Sequence, residues 1–420
     1  MACTHHEWGA PDEPVLLVWE RDCLVKNGPP ITTAEIDRRY TALRAAMQRD
    51  HLDALLVCGN QYAGFEGAVR YVSGFEIVHR YAYVLLPLTG EPTLIFPAEA
   101  RWIGDKKKPW VRDQVWPEIP GRYLRDLARD RPWKRLGVCG LELVMAVRDY
   151  RELASGPCEL IAWDFPFDMA RCVKSDWERA HIRQSMEVIL DGFDALVRAF
   201  EPGKTEAEIM APAVERFFAG GAGPRMMNIV LSGPHGEAQA HFKVPGDRVV
   251  QPDDLMLYSL EIGGYEGYWV EFSRALIRGT PSARIQQMAS AYPEAMEAAR
   301  LLMREGERAS DVHRAVAETF SAHGFSLGHL SGHSIGLTML EHPAIGARSD
   351  VELREGMIFS LHPQVIDRDG QVCLYTQDTF RVGKTEGENL ADVEWKFYQG
   401  GEKQASRSVG RSVARPEPDR

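Results

Sequence analysis

The stretch Glu261-Ile262-Gly263-Gly264-Tyr265-Glu266-Gly267-Tyr268-Trp269-Val270-Glu271-Phe272-Ser273-Arg274 decides how this chain is read. Two carboxylates, Glu261 and Glu271, stand in apolar, strand-forming sequence on either side of a glycine-rich turn. A carboxylate buried there without a partner is costly. A cation or a substrate ammonium would satisfy the pair; Arg274 is the plainer partner for Glu271. Three other stretches carry chemistry-bearing side chains. Ala240-His241-Phe242 lies upstream, beyond a loop containing Gly233 and His235. Gly332-His333-Ser334-Ile335-Gly336-Leu337 is followed by Glu341-His342-Pro343, and its small glycines let backbone approach a ligand closely. An apolar strand over residues 357–361 then leads into His362-Pro363 and on to Tyr375-Thr376-Gln377-Asp378-Thr379.

Around these stretches the pattern alternates helices and strands. Ser175-Asp176-Trp177-Glu178 is a capping box, and Ile182, Met186, Ile189, Phe193, Leu196 and Phe200 follow it at helical spacing. Thr205 with Glu208 caps a second helix. Residues 285–303 and 311–323 form another predicted helix pair. Strands are expected over 254–262, 268–277, 357–361 and 379–382. Two helix pairs, each with strands, suggest an α+β domain over residues 170–400 built from a duplicated half. Upstream, Thr33 caps a helix with Ile36, Tyr40, Leu43 and Met47 on one face. Strands over 54–58, 136–139 and 159–162, with a hairpin over 83–88 and 93–96, make residues 30–165 a smaller α/β domain. Residues 1–29 read as an irregular leader, and the Ser-, Arg- and Pro-rich residues 402–420 as a disordered tail.

Composition narrows the classes of function. The 420 residues carry 49 Lys and Arg against 60 Asp and Glu, a net charge of −11, so no basic footprint for nucleic acid or an anionic membrane is expected. No apolar run approaches the roughly 20 residues of a membrane span, and the first residues lack the order of a signal peptide. Seven scattered cysteines without a C-x-x-C pair read as reduced thiols of a cytoplasmic protein.

The order of the four stretches resembles the creatinase/prolidase/methionine aminopeptidase family, the pita-bread fold. Arg70-Tyr71-Val72-Ser73-Gly74-Phe75 before a hairpin is similar to the family's creatinase-type N-terminal domain. The resemblance implies a homodimer. It also implies two divalent metals held by two Asp, one His and two Glu, and this chain departs from that set. The second Asp falls on Glu271, the His on His333, the first Glu on His362 and the last Glu on Gln377. The first Asp falls on Leu260, or on Glu261 with a one-residue slip. The family's second histidine falls on Leu340, while His241 matches the histidine of the preceding segment.

Two cations side by side need bridging carboxylates, and a neutral amide at Gln377 bridges poorly. Two readings stay open. Glu271, His333 and His362, with Gln377 as a weak fourth ligand, suit one Fe, Mn or Zn ion. Alternatively no metal binds, and the same groups act as acids, bases and hydrogen bonders. The leading expectation is a hydrolase-type enzyme cleaving a C–N bond in a small amino-acid-like or amidine-like molecule. His241 would shuttle the proton, with Glu261 and Glu341 orienting the substrate's cationic end. The alternatives are a mononuclear non-haem oxygenase or lyase, an Xaa-Pro peptidase, and a metal-free binding module. Of the 13 histidines, His5, His6, His51, His181, His313 and His323 read as surface or structural groups.

Overall fold

The computed structural model describes residues 30–238 and 241–401; the leader, residues 239–240 and the tail lie outside the described residues. The N-terminal unit is a six-stranded mixed sheet. Its order is Asp113–Val115, Thr93–Ile95, Tyr81–Pro87, Ala54–Asn60, Arg135–Cys139, Glu159–Ala162. The predicted hairpin pairs Tyr83 with Ile95, antiparallel. The helix Thr33–Arg49 begins at Thr32, whose hydroxyl accepts the Glu35 amide at 3.2 Å. That is one residue earlier than the sequence suggests.

The C-terminal unit has the pita-bread arrangement. The helices Asp176–Ala199 and Glu206–Ala219 pack together, each opened by a complete capping box at Ser175/Glu178 and Thr205/Glu208. The helices Ala283–Leu302 and Ala309–Ala322 form the second pair. Between the pairs lies a sheet of Met226–Gly233, Leu255–Gly263, Trp269–Phe272 and Leu276–Ile277. A second sheet runs Glu341–Ile345, Gly332–Ser334, Ile358–Leu361, Asp378–Arg381, Glu388–Asn389. An antiparallel bridge between Ser273 and Gln377 stitches the two sheets where the carboxylates lie.

A buried cationic pin joins the units. Arg39 is 1% exposed; it donates to Glu35 at 2.8 Å, to the Tyr71 carbonyl at 3.1 Å and to the Tyr268 hydroxyl at 3.0 Å. Tyr268 in turn donates to Glu178 at 2.9 Å. Tyr268 and Trp269 therefore belong to the core rather than to an open aromatic pocket. The five cysteines among the described residues are all buried. No helix among the described residues is long and apolar enough to cross a membrane.

Candidate metal centre

Glu261 and Glu271 sit directly opposite each other on the antiparallel strands Leu255–Gly263 and Trp269–Phe272. Opposed residues project from the same face, so the two carboxylates meet. Leu260 instead pairs with Phe272, and both are fully buried in the apolar core on the other face. Of the two candidates, Glu261 and not Leu260 is therefore the one whose side chain meets Glu271.

Gln377 lies between them. Its amide nitrogen donates to Glu261 Oε1 at 3.0 Å and to Glu271 Oε2 at 3.1 Å. Ser360 Oγ donates to Glu271 Oε2 at 2.5 Å, and the Ser259 hydroxyl donates to Glu261 Oε1. Burial raises both acids: Glu261 to about 8, with the Glu271 charge adding to the rise, and Glu271 to about 7. The hydrogen bonds from Ser259, Ser360 and Gln377 oppose the rise without cancelling it.

The histidines approach from the second sheet. His333, in the strand Gly332–Ser334, pairs with Ser360, so its ring projects beside the Ser360 hydroxyl that holds Glu271. His333 Nδ1 lies 3.1 Å from the Ser334 carbonyl, which only accepts, so Nδ1 carries the hydrogen and Nε2 is left with a lone pair. Nε2 stands 3.7 Å from Glu271 Oε1. Burial holds the His333 pKa below the usual imidazole value, so the ring is neutral and two acceptors face each other. His362 follows the strand Ile358–Leu361, its ring 4.9 Å from that of His333. Burial, then the neighbouring His333 and His329 rings, push its pKa far down.

Ligand atoms of Glu271, His333 and His362 all lie within 4.8 Å of one another. Glu271 Oε1, His362 Nδ1 and Gln377 Oε1 are buried without a hydrogen-bond partner. Unpaired buried acceptors are expensive, and a single divalent transition metal answers their chemistry: neutral imidazoles and a carboxylate are its ordinary ligands. The residues present fit one such ion. Between the two acids stands the neutral Gln377, whose nitrogen faces both as a donor.

Other expected groups fall elsewhere. Glu341 is 4% exposed and is held by Lys174 Nζ at 2.8 Å, Arg171 at 2.9 Å and the Thr338 amide at 3.1 Å. That carboxylate is paired with two buried cations, so it has no free charge to offer a substrate ammonium. Arg274 donates to Asp378 at 2.9 and 3.1 Å and leaves Glu271 alone. His241 is exposed and lies outside the three-ligand group. Its neighbour Phe242 packs against Tyr375 at 4.7 Å, and Tyr375 lies 6.2 Å from His362. His235 pairs with Asp253 at the surface. Sequence reasoning passes over His329, whose ring lies 5.4 Å from His362. Its spacing of four residues before His333 is the available signal. Ser259 and Ser360 carry none.

Residues 39–173 match the creatinase/prolidase N-terminal domain, and residues 180–384 match metallopeptidase family M24. A probable dipeptidase PepE of Mycobacterium tuberculosis is 28% identical over 347 residues, spanning 79% of this chain and 88% of that protein. A Xaa-Pro dipeptidase of Pyrococcus horikoshii is 23% identical over 53% of this chain and 64% of its own length. The crystal structure of dipeptidase PepE from Mycobacterium ulcerans superposes with a TM-score of 0.74 at 25% identity, over 88% of this chain and 99% of that one. An X-Pro aminopeptidase from Thermotoga maritima shares the fold at a TM-score of 0.73 and 23% identity, over 86% and 99% of the two chains.

Proposed function

Because the chain belongs to the creatinase/prolidase family and is a C–N hydrolase of that kind, we propose that it cleaves short peptides at a site holding one divalent cation. The altered ligand set alone favours an amidine-like substrate. The relatives named dipeptidase and Xaa-Pro dipeptidase outweigh it, so a dipeptide, with Xaa-Pro among the candidates, is the better substrate class. The observation that carries the one-cation reading is the group of orphaned acceptors, Glu271 Oε1, His362 Nδ1 and Gln377 Oε1, beside a neutral His333.

Glu271, His333 and His362 would hold the cation, with the Gln377 oxygen as a weak fourth ligand. Bound there, it supplies Lewis-acid polarisation of the scissile carbonyl. Glu261 lies outside the three-ligand group and is fixed by Ser259 and Gln377. It is the carboxylate left to receive the substrate's α-ammonium. His241, which is solvent-facing, exchanges the proton between attacking water and leaving amine. The hydroxyl of Ser360 holds Glu271 in place as the substrate docks. We carry forward a homodimer and a cytoplasmic setting, the latter on the scattered cysteines without a C-x-x-C pair.

The test is metal content of protein purified without chelator, measured together with hydrolysis of Ala-Pro and Ala-Ala. One metal per chain with hydrolysis supports the reading. Two metals per chain, or hydrolysis unaffected by complete metal removal, overturns it. The same 2-His-1-carboxylate geometry is what a non-haem Fe(II) oxygenase uses. Anaerobic Fe(II) loading followed by nitric oxide tests that second reading, and absence of an Fe–NO signal ends it.

A further inference from the structure

Beside His333, the two domains of the chain enclose a cavity of about 460 Å³. The N-terminal domain contributes Phe65, Ala68 and Leu143; the C-terminal domain contributes Met339, Leu340 and His333 itself. That volume is within the roughly 300–1,000 Å³ of small-molecule sites. Since His333 is both a wall of the cavity and a member of the three-ligand group, a guest seated here lies next to the reacting centre.

The charged residues of the lining are already engaged. Asp168 accepts Arg171 at 2.7 Å and the His342 amide at 2.9 Å; Asp164 accepts the Gly140 amide at 2.8 Å. Glu341 is held by Lys174 and Arg171, and Glu142 stands exposed on the outer lip. What remains for a guest is apolar. The mouth also exposes large hydrophobic side chains: Leu143 at 82%, Leu340 at 58%, and Phe65 and Leu330 at 40% each. Isolated exposed hydrophobes are ordinary, but four converging on the rim of one cavity mark a binding surface.

We infer that this interdomain cavity is the specificity pocket of the enzyme and takes a large apolar side chain, Leu- or Phe-like, of the residue beside the scissile bond. This rests on the dipeptidase reading for the word scissile, and the cavity argument stands apart from it. A cationic side chain gains nothing at the enclosed end, where Asp168 and Glu341 already pair with Arg171 and Lys174, so a lysine head would lose its hydration there without a free carboxylate to replace it.

The test compares kcat/KM of the metal-loaded enzyme on the series Gly-Ala, Leu-Ala, Phe-Ala, Lys-Ala and on the reversed Ala-Xaa series. In parallel, calorimetry measures binding of glycinamide, L-leucinamide and L-lysinamide. Leu143→Glu, at an exposed position that folding does not need, places a charge on the rim. In one of the two series the Leu and Phe peptides are expected to exceed Gly and Lys by on the order of 10- to 100-fold. Leu143→Glu should erase most of that difference. No hydrolysis of any peptide, with leucinamide still bound in preference to glycinamide and lysinamide, removes the dipeptidase reading and keeps the pocket. Equal rates and equal binding across Gly, Leu and Lys overturn the pocket. So does sedimentation in which Leu143→Glu converts a dimer to a monomer, since the apolar rim would then be an interface between copies.

Discussion

Replacing Gln377 by glutamate puts a third carboxylate where an amide now donates to two. The wild-type nitrogen makes hydrogen bonds of 3.0 and 3.1 Å to Glu261 and Glu271 at a position with no solvent exposure. Hydrogen bonds to charged acceptors contribute roughly 1.5–3 kcal/mol each, so losing both removes about 3–6 kcal/mol from the metal-free protein when the acids are ionised. Like-charge repulsion adds to the loss. At pH 5 the effect shrinks, because Glu261 and Glu271 are raised to about 8 and about 7, and the introduced acid, once protonated, again donates a hydrogen bond. With a divalent metal present the sign reverses: the added acid supplies the missing bridge, and Gln377→Glu should bind a second cation. Urea denaturation in EDTA at pH 5 and pH 8, followed by elemental analysis after metal loading, reads all three effects. A loss below about 1 kcal/mol at pH 8 in EDTA would refute the donor role of Gln377. An unchanged metal count would refute the claim that this amide is what limits the site to one cation.

Further outcomes follow from the same geometry. Glu271→Ala or His362→Ala should abolish stoichiometric metal binding while the fold, by circular dichroism, persists; retained metal in either variant argues against the ligand set. For the wild-type protein in EDTA, both acids hold their protons in the folded state above their ordinary value near 4.5. The unfolded chain releases those protons first, so this contribution to stability is greatest below about pH 4.5, falls as pH rises and is gone by about pH 8. Denaturation midpoints across that window, with and without metal, check the sign: metal should stabilise more at pH 8 than at pH 5, since its ligands must be deprotonated. Lys174→Met leaves Glu341 with one cation instead of two at a fully enclosed site. It should destabilise by about 3 kcal/mol in urea melts, and a change under about 1 kcal/mol would mean Arg171 suffices.

How far the sequence speaks depends on whether the deciding contact is local. The capping boxes at Ser175 and Thr205 and the hairpin pairing Tyr83 with Ile95 are set by residues a few positions apart, and they appear where expected. Choosing between Leu260 and Glu261 required the strand pairing itself, because a one-residue slip turns every side chain to the opposite face. Arg274 reads as a partner for Glu271 three residues away. On a strand that spacing points to opposite faces, so the guanidinium reaches Asp378 instead. The ion pairs of Glu341 are illegible for the opposite reason: its partners Arg171 and Lys174 lie about 170 residues upstream, and nothing near Glu341 in the chain announces them. His329 is legible at its spacing from His333, yet its closeness to His362 depends on how the second sheet is assembled.

Charge balance explains why the altered residues form a coherent site instead of a damaged one. In the two-metal relatives implied by the family pattern, four carboxylates oppose two dications. On the mapping that the resemblance implies, two of the four positions fall here on the neutral groups His362 and Gln377; the acids on the facing strands are Glu261 and Glu271. Those two acids balance one dication. Without it they remain close to neutral by holding protons, as burial and mutual repulsion require. Either way the enclosed region carries little net charge, which a low-dielectric interior demands. Had only one acid been replaced, three carboxylates would face one or two dications with a charge left over in both states. That balance of two acids against one dication or two protons is the reason Gln377→Glu should disturb the metal-free protein more than the loaded one.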